Sequence, residues 1–212
     1  MQQTVNATRM QLTTFRRRLK IAERGHKLLK DKQDEMVKTF LQLARESHQL
    51  RSRLQQQLAE ASRYQQLAAL TTGQEVLQHA LMLSNNQVEI SYRPSSILGV
   101  SVPELEVEGS AAKASFPYGF AETSGNLDQS LTRLAEAFPL LVKLAAIEKA
   151  VDLLADELER IRRRVNALEH ILIPRLQQNV KFIEMKLDEM ERSNIVRLMK
   201  INEQREKSQQ TH

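Results

Sequence analysis

The sequence predicts an all-α-dominated fold: a long antiparallel two-helix left-handed coiled coil, with a small β-hairpin or irregular segment between the helices. Three observations carry this reading. An apolar heptad repeat runs through the first third of the chain for about eight heptads, well past the three or four that mark a coiled coil. A second apolar repeat fills the last third. Most of the six Gly and five Pro fall between Pro94 and Pro139, so the breaks in helical pattern are concentrated in the middle.

Composition agrees. Hydrophobic residues make up 41% of the 212 residues but aromatic ones only 4%, with no Trp, whereas a compact core of this size normally uses more large rings. Leu, Ala, Glu, Gln, Arg and Lys dominate, as they do in long helices. There is no Cys, which excludes disulfides and thiolate chemistry and fits a reducing compartment. No stretch approaches the roughly 20 apolar residues of a membrane span, so a soluble chain is expected, reaching any membrane through partners. The net charge of +5 raises the possibility of nucleic-acid binding, but 26 acidic residues are interleaved with 31 basic ones. That pattern reads as a solvated helix surface, and no nucleic-acid partner is expected.

Three segments follow: residues 1–84 as the N-terminal helix, 85–125 as the connecting segment and 126–212 as the C-terminal helix with a fraying tail from Asn202. Thr8 or Asn6 is positioned to cap the first helix. One line of its repeat is Phe15, Ala22, Leu29, Met36, Leu43, Leu50; the other is Leu12, Leu19, His26, Gln33, Phe40, Ser47, Leu54, Ala61, Ala68. A helix from Thr8 to Ser84 would be on the order of 110 Å long. Its apolar stripe then requires a partner helix of similar length.

In the connecting segment Val88, Ile90 and Tyr92 alternate with polar residues, as a half-buried strand requires, and Leu98, Val100, Val102, Leu105 and Val107 extend the pattern. A hairpin followed by an irregular arm is expected, with a plain linker as the alternative. The rings of Phe116-Pro117-Tyr118-Gly119-Phe120 argue for burial or a partner.

Helical pattern resumes at Asn126 or Asp128, and Pro139 implies either a short separate helix or a kinked start. The partner repeat then runs Leu144, Ile147, Val151, Leu154, Leu158, Ile161, Val165, Leu168, Leu172. Pro174 lacks the amide donor that would bond the His170 carbonyl, and the repeat shifts to Leu176, Val180, Ile183, Leu187, Met190, a stutter that unwinds a supercoil locally. Folding the two helices back on each other places Leu50 near Ile161 and Phe15 near Ile195, with both termini at one end.

Chemistry-bearing sets are lacking. The five histidines, His26, His48, His79, His170 and His212, have no metal-ligand spacing, Asp31, Asp34 and Glu35 lack the pattern of a calcium loop, and no phosphate-binding loop or nucleophile elbow occurs. Neither catalysis, nor a cofactor, nor a metal is expected. His26 at a core position reads as a register-fixing polar group. Gly25, which costs about 1 kcal/mol inside a helix, implies a close backbone approach or a tolerated imperfection. The consecutive Arg162, Arg163 and Arg164 fan over most of a helix circumference. Together with Arg24 and Lys27 they are either a solvated surface or donors to a surrounding ring of carbonyls and carboxylates.

The stretch Arg24-Gly25-His26-Lys27-Leu28-Leu29-Lys30-Asp31-Lys32-Gln33-Asp34-Glu35, preceded by Thr8-Arg9-Met10-Gln11-Leu12, resembles the N-terminal signature of the D subunit of the vacuolar/archaeal-type (V-type/A-type) rotary ATPases. Arg162-Arg163-Arg164-Val165-Asn166-Ala167-Leu168-Glu169, followed by Ile173-Pro174, resembles the C-terminal signature of the same family. The resemblance spans nearly the whole chain and is least marked over residues 85–125. It implies a non-catalytic central rotor shaft transmitting torque between ATP hydrolysis or synthesis in an A3B3 hexamer and translocation of H⁺ or Na⁺ by a membrane ring. The implied partners are the catalytic A and nucleotide-binding B subunits, the small F subunit of the central stalk and the membrane-ring adaptor, C or d. The implied location is cytoplasmic, peripheral to the membrane and without insertion. Arg24, Lys27, Arg162, Arg163 and Arg164 become candidate partner contacts. Heptads alone would equally serve a coiled-coil scaffold or tether unrelated to ATPases.

Overall fold

A computed structural model describes residues 6–82, 88–108, 116, 118–119 and 124–209. The order of elements is α1 (Arg9–Thr72), α2 (Gln74–Met82), β1 (Glu89–Ile97), β2 (Val100–Glu108), α3 (Gly125–Ala167), a π-helical turn (Leu168–Leu172) and α4 (Ile173–Gln209). The protein is therefore dominated by long helices, with one two-stranded antiparallel sheet between them. Thr8 is the cap of α1: its Oγ1 accepts from the Gln11 amide at 3.2 Å. Every residue of both predicted α1 repeat lines is buried or half-buried, with Ala22, Met36, Leu50, Leu54, Ala61 and Ala68 the most enclosed.

The first helix is shorter than the sequence reading has it. Gly73 takes a φ of +88°, which ends α1 at Thr72, and α2 restarts at once. The Gly73 amide still bonds the Ala69 carbonyl at 3.1 Å, so this is a helix terminus and not a frayed end. At Pro139 the difference runs the other way. α3 is one helix from Gly125, because Ala137 and Leu144 on either side of the proline pack with Leu50 and Leu54 and hold the turn in place. The separate-helix alternative is thereby removed.

Two compact units result, Glu35–Glu159 and Met1–Asp34 with Arg160–His212. In the first, the α1 and α3 segments run antiparallel. Arg133 Nε lies 3.7 Å from Glu60, the Arg51 guanidinium lies 2.6 Å from Glu148, and the buried Ser130 hydroxyl donates to the Ala61 carbonyl at 3.0 Å. Leu50 therefore packs on Ala137 and Leu144, not near Ile161. The expected register centred the fold-back on the middle of the chain, whereas Ser130 and the cluster around it seat α3 further back along α1. A second cluster gathers Ala68, Leu77, Ala80, Tyr118 and Leu127, with Phe116 packed against it. Tyr118 is thus buried and Phe116 half-buried against it, as expected, while Pro117 and Phe120 lie outside the described residues. The hairpin belongs to this unit too. Leu98 and Gly99, at φ 52° and 84°, form its two-residue turn. Val102 is buried, but Ile90 and Tyr92 are exposed, so the half-buried face expected of β1 is not inward.

In the second unit α4 runs antiparallel to the start of α1, with Arg9 bonded to Glu191 at 2.5 Å and Arg16 to Glu184 at 2.7 Å. Phe15 accordingly lies at the level of Glu184 and not of Ile195. Ala22, Ile161, Val165, Leu176 and Ile183 are buried here. Leu172, a predicted core position, is exposed. The π turn before Pro174, closed by the Ile173 amide on the Leu168 carbonyl, carries one extra residue and rotates Leu172 off the seam. Past Asn202, where fraying was expected, the chain is helical through Gln209, and residues 210–212 lie outside the described part.

Candidate partner-binding surface

All five candidate residues fall in the unit built from the two chain ends, and all five side chains are exposed. Arg24 and Lys27 are three residues apart on α1 and share a helix face. Arg162, Arg163 and Arg164 form part of the last turns of α3, between the buried Ile161 and Val165. Those two anchors turn the arginines outward, so the helix presents its cations at successive steps of roughly 100°. Among the described residues Arg24, Lys27, Arg162 and Arg164 have no ion-pair partner, whereas Arg163 does interact within the chain.

His26 links the two stretches. Its Nε2 lies 3.3 Å from Glu169 Oε2 in the π turn, and its side chain is only 20% exposed. That contact sets the level of α1 against the α3 end. Arg162–Arg164 lie five to seven residues before Glu169, roughly 10 Å along the axis, so the two cationic clusters occupy neighbouring levels of one helix pair. The reading of His26 as a register-fixing polar group had no sign of Glu169 as its partner, because the π turn that presents that carboxylate depends on a proline five residues on. Gly25 beside it has, outside its own helix backbone, no atom of the described residues within 4 Å of where a Cβ would stand, so no close backbone approach among them explains it.

Two further features complete the surface. Arg18 lies over the Phe15 ring at 5.8 Å, while Arg16 is engaged with Glu184, so the basic run near the start of α1 is partly held by its own helix pair. Beyond Glu191, α4 outruns the first residue of α1 and carries Ile195, Val196, Leu198, Met199 and Ile201 at 47–61% exposure. Apolar side chains in such density on an exposed helix mark a contact surface. The repeat read as far as Met190 gives no sign of this, because it lacks the register in which the start of α1 faces Glu191.

Among the described residues no group of three His, Cys, Asp or Glu side chains is placed to hold a metal ion, and no helix is long and apolar enough to cross a membrane. The arrangement is suited to binding: cations and apolar side chains displayed on a rigid helix pair.

Comparison with known proteins points the same way. The family model described as the D subunit of ATP synthase matches residues 11–203. The V-type ATP synthase D subunit of Thermoanaerobacter sp. (strain X514) is 47% identical over 199 residues, covering 94% of this chain and 95% of the relative. That of Acetivibrio thermocellus is 45% identical over 201 residues, covering 94% and 90%. That of Clostridium botulinum (strain ATCC 19397 / Type A) is 42% identical over 213 residues, covering 99% and 98%.

Proposed function

Because the chain belongs to the family of ATP synthase D subunits, as a non-catalytic central-stalk component of a V/A-type ATPase, we propose that it is the rotor that transmits torque between an A3B3 hexamer and an ion-translocating membrane ring. The observation that carries this reading is the end unit, where Arg24, Lys27, Arg162 and Arg164, without ion-pair partners among the described residues, accompany the exposed apolar run of α4. A hexamer of catalytic A and nucleotide-binding B subunits encloses the part bearing Arg16–Lys32 and Lys181–Lys200. Its carbonyls and carboxylates receive the guanidinium and ammonium donors, and apolar loops cover Ile195 to Ile201.

Torque then follows from differential binding. A pair of helices interrupted by a π turn on one strand only has no threefold symmetry, so three equivalent catalytic sites meet different faces of it at each angle. Each catalytic conformation binds one face best, and ATP turnover biases which face that is. The small F subunit and the adaptor, C or d, complete the stalk, the ion is H⁺ or Na⁺, and the location is cytoplasmic, peripheral to the membrane through the complex.

The experiment is stoichiometric: purified chain mixed with A and B subunits is expected to give one copy per hexamer. Two copies, or none, would overturn the rotor reading. Changing Arg162, Arg163 and Arg164 together to Gln is expected to weaken assembly or uncouple ATPase from pumping. Unchanged binding, turnover and pumping would remove that cluster from the interface.

A further inference from the structure

The register of the end unit divides its surface into two unlike flanks. Arg16 and Glu184 each follow a core residue, Phe15 and Ile183, by one position, and they pair across the seam, as Arg9 and Glu191 do two turns away. Residues that follow core positions therefore share one flank of the seam in both helices, and residues that precede core positions share the other. The following flank is mixed in charge: Glu23 and Asp34 stand with Lys27 and Lys30 on α1, and Glu169 meets His26. The preceding flank is not. Between residues 18 and 32 and between residues 160 and 182 the acids are Glu23, Asp31 and Glu169, and none of them precedes a core position.

The π turn enlarges that acid-free flank. A repeat continued from Ile161 and Val165 would bring Arg175 and Phe182 to the core; instead Leu176 and Ile183 are buried, one residue later, and Phe182 is 45% exposed. The extra residue is taken up within Leu168–Leu172, after which the half-buried Ile173 occupies a core position and Leu172 precedes it, with Ile171 alongside. Seam packing does not require this residue, since without it the two parts of the repeat would be in phase. What it adds is surface. Ile171 and Leu172 are 67% and 43% exposed, and Ile21 and Leu28, which precede the core residues Ala22 and Leu29 on α1, are 60% and 69% exposed.

Between these four side chains the flank is shallow. Gly25 precedes His26 and Ala167 precedes Leu168, so the two smallest residues of the flank lie at the level that the His26–Glu169 contact fixes. Charge then selects the occupant. Lys32, Arg164 and Arg175 precede Gln33, Val165 and Leu176 and so border the same flank, and among the described residues none of the three has an ion-pair partner. Apolar walls, a floor that admits a backbone and a rim of cations without acids suit a helix of opposite charge. We propose that this flank seats an acidic amphipathic helix of a neighbouring subunit, laid along the seam as a third helix. Its apolar residues pack on Ile21, Leu28, Ile171 and Leu172, and its carboxylates face Lys32, Arg164 and Arg175.

The test rests on the central-stalk reading only for its source of partners. The full chain, tagged and carrying p-benzoylphenylalanine in place of Leu28 or of Ile171, is purified with whatever complex it brings down and irradiated. Both positions are expected to join the same segment of one neighbouring subunit, a helix with Asp or Glu among its apolar residues, with about tenfold less of that adduct from a probe in place of Glu23 on the other flank. Gly25→Leu fills the floor at a position with room for a side chain and favours the helix, so the urea midpoint is expected to stay level or rise while the adduct yield falls about tenfold. Arg164→Glu with Arg175→Glu, both exposed positions, is expected to lower the yield about tenfold at low salt. No adduct, different segments from positions 28 and 171, or a segment without acidic residues would overturn the proposal. So would an adduct to lipid or to a second copy of the chain, a lower midpoint for Gly25→Leu, or a yield indifferent to either variant. Copurification of A and B in the same preparation reports separately on the stalk assignment.

Discussion

Residues Glu35–Glu159 and the unit formed by the two chain ends are built from the same kind of helix, yet they dispose of their apolar residues differently. The first closes two clusters, Leu50–Leu54–Ala137–Leu144 and Ala68–Leu77–Ala80–Tyr118–Leu127, and adds a buried hydroxyl, Ser130, bonded across to the Ala61 carbonyl. The second encloses Ala22, Ile161, Val165, Leu176 and Ile183 and leaves Met185, Met190, Ile195, Val196, Leu198, Met199 and Ile201 outside. The first unit is not fully closed either, since Leu70, Met82 and Tyr92 are exposed, but its exposed apolar residues are scattered over α1, α2 and the hairpin, whereas those named in the second run together along the end of α4. Apolar residues at helical spacing occur in both, so that spacing alone does not separate self-packing from partner-binding helix. What separates them is whether an opposing helix reaches that level.

The sharpest way to break this contrast is a pair of leucines. Leu154 is fully buried in the first unit, and Leu154→Ala is expected to cost about 3 kcal/mol in urea unfolding. Leu198, 61% exposed on α4, is expected to change stability by less than about 0.5 kcal/mol when made Ser, while weakening capture by A and B subunits. Equal losses of stability would mean that the end of α4 has an internal partner, and the contrast would fail.

The polar contacts sharpen it next. Tyr118, 6% exposed, donates its hydroxyl to Asp128 Oδ1 at 2.6 Å. Its ionisation is pushed well above the ordinary tyrosine range, first by burial, then by the hydrogen bond to Asp128 and the repulsion between that carboxylate and a phenolate. Tyr118→Phe is expected to cost about 1 kcal/mol near neutral pH. Since the folded group deprotonates later than the unfolded one, its contribution is complete below about pH 10 and is lost as pH rises beyond that. The difference between the tyrosine and phenylalanine proteins should therefore hold at about pH 8 and shrink by about pH 11, roughly one unit above the point where free tyrosine titrates. A difference independent of pH would deny the shift. In the other unit His26→Ala, which removes a contact to the half-exposed Glu169, should cost less than about 1 kcal/mol.

The sequence made some of these features legible and hid others for identifiable reasons. Both repeat lines of α1 could be read position by position, because a heptad leaves its mark on every turn and Leu12 through Ala68 all lie inward. Register could not, since Leu50 meets Leu144 only through a seat made by Ser130 and Ala137, residues that carry no apolar signal of their own. Likewise Pro174 announced an irregularity, but the one-residue swelling at Leu168–Leu172 and its exposure of Leu172 depend on how the helix absorbs the missing donor. The cationic candidates Arg24, Lys27 and Arg162–Arg164 were visible as clusters. Their common placement in one unit, joined through His26 and Glu169, was not, because it requires the fold-back register.

A single substitution type, made once in each unit, gives the smallest and most discriminating test. Gly25 lies inside α1 with ordinary helical φ and no atom within 4 Å of a new Cβ, so Gly25→Ala removes unfolded-state freedom without strain and should raise stability by about 0.5–1 kcal/mol. Gly73 is equally uncrowded, but its φ of +88° ends α1, and an alanine there must either accept a left-handed backbone at a cost of about 1–2 kcal/mol or extend the helix and displace α2. Leu77 and Ala80 on α2 belong to the cluster with Tyr118, so displacing α2 would cost packing as well. Opposite signs in the same unfolding assay are thus expected from chemically identical changes. If Gly73→Ala also stabilised the protein, the break between α1 and α2 would be incidental. Stabilisation at Gly25 accompanied by loss of assembly with A and B would mean that a partner backbone approaches that position, which would carry the cationic surface of the end unit one residue closer to a mapped interface.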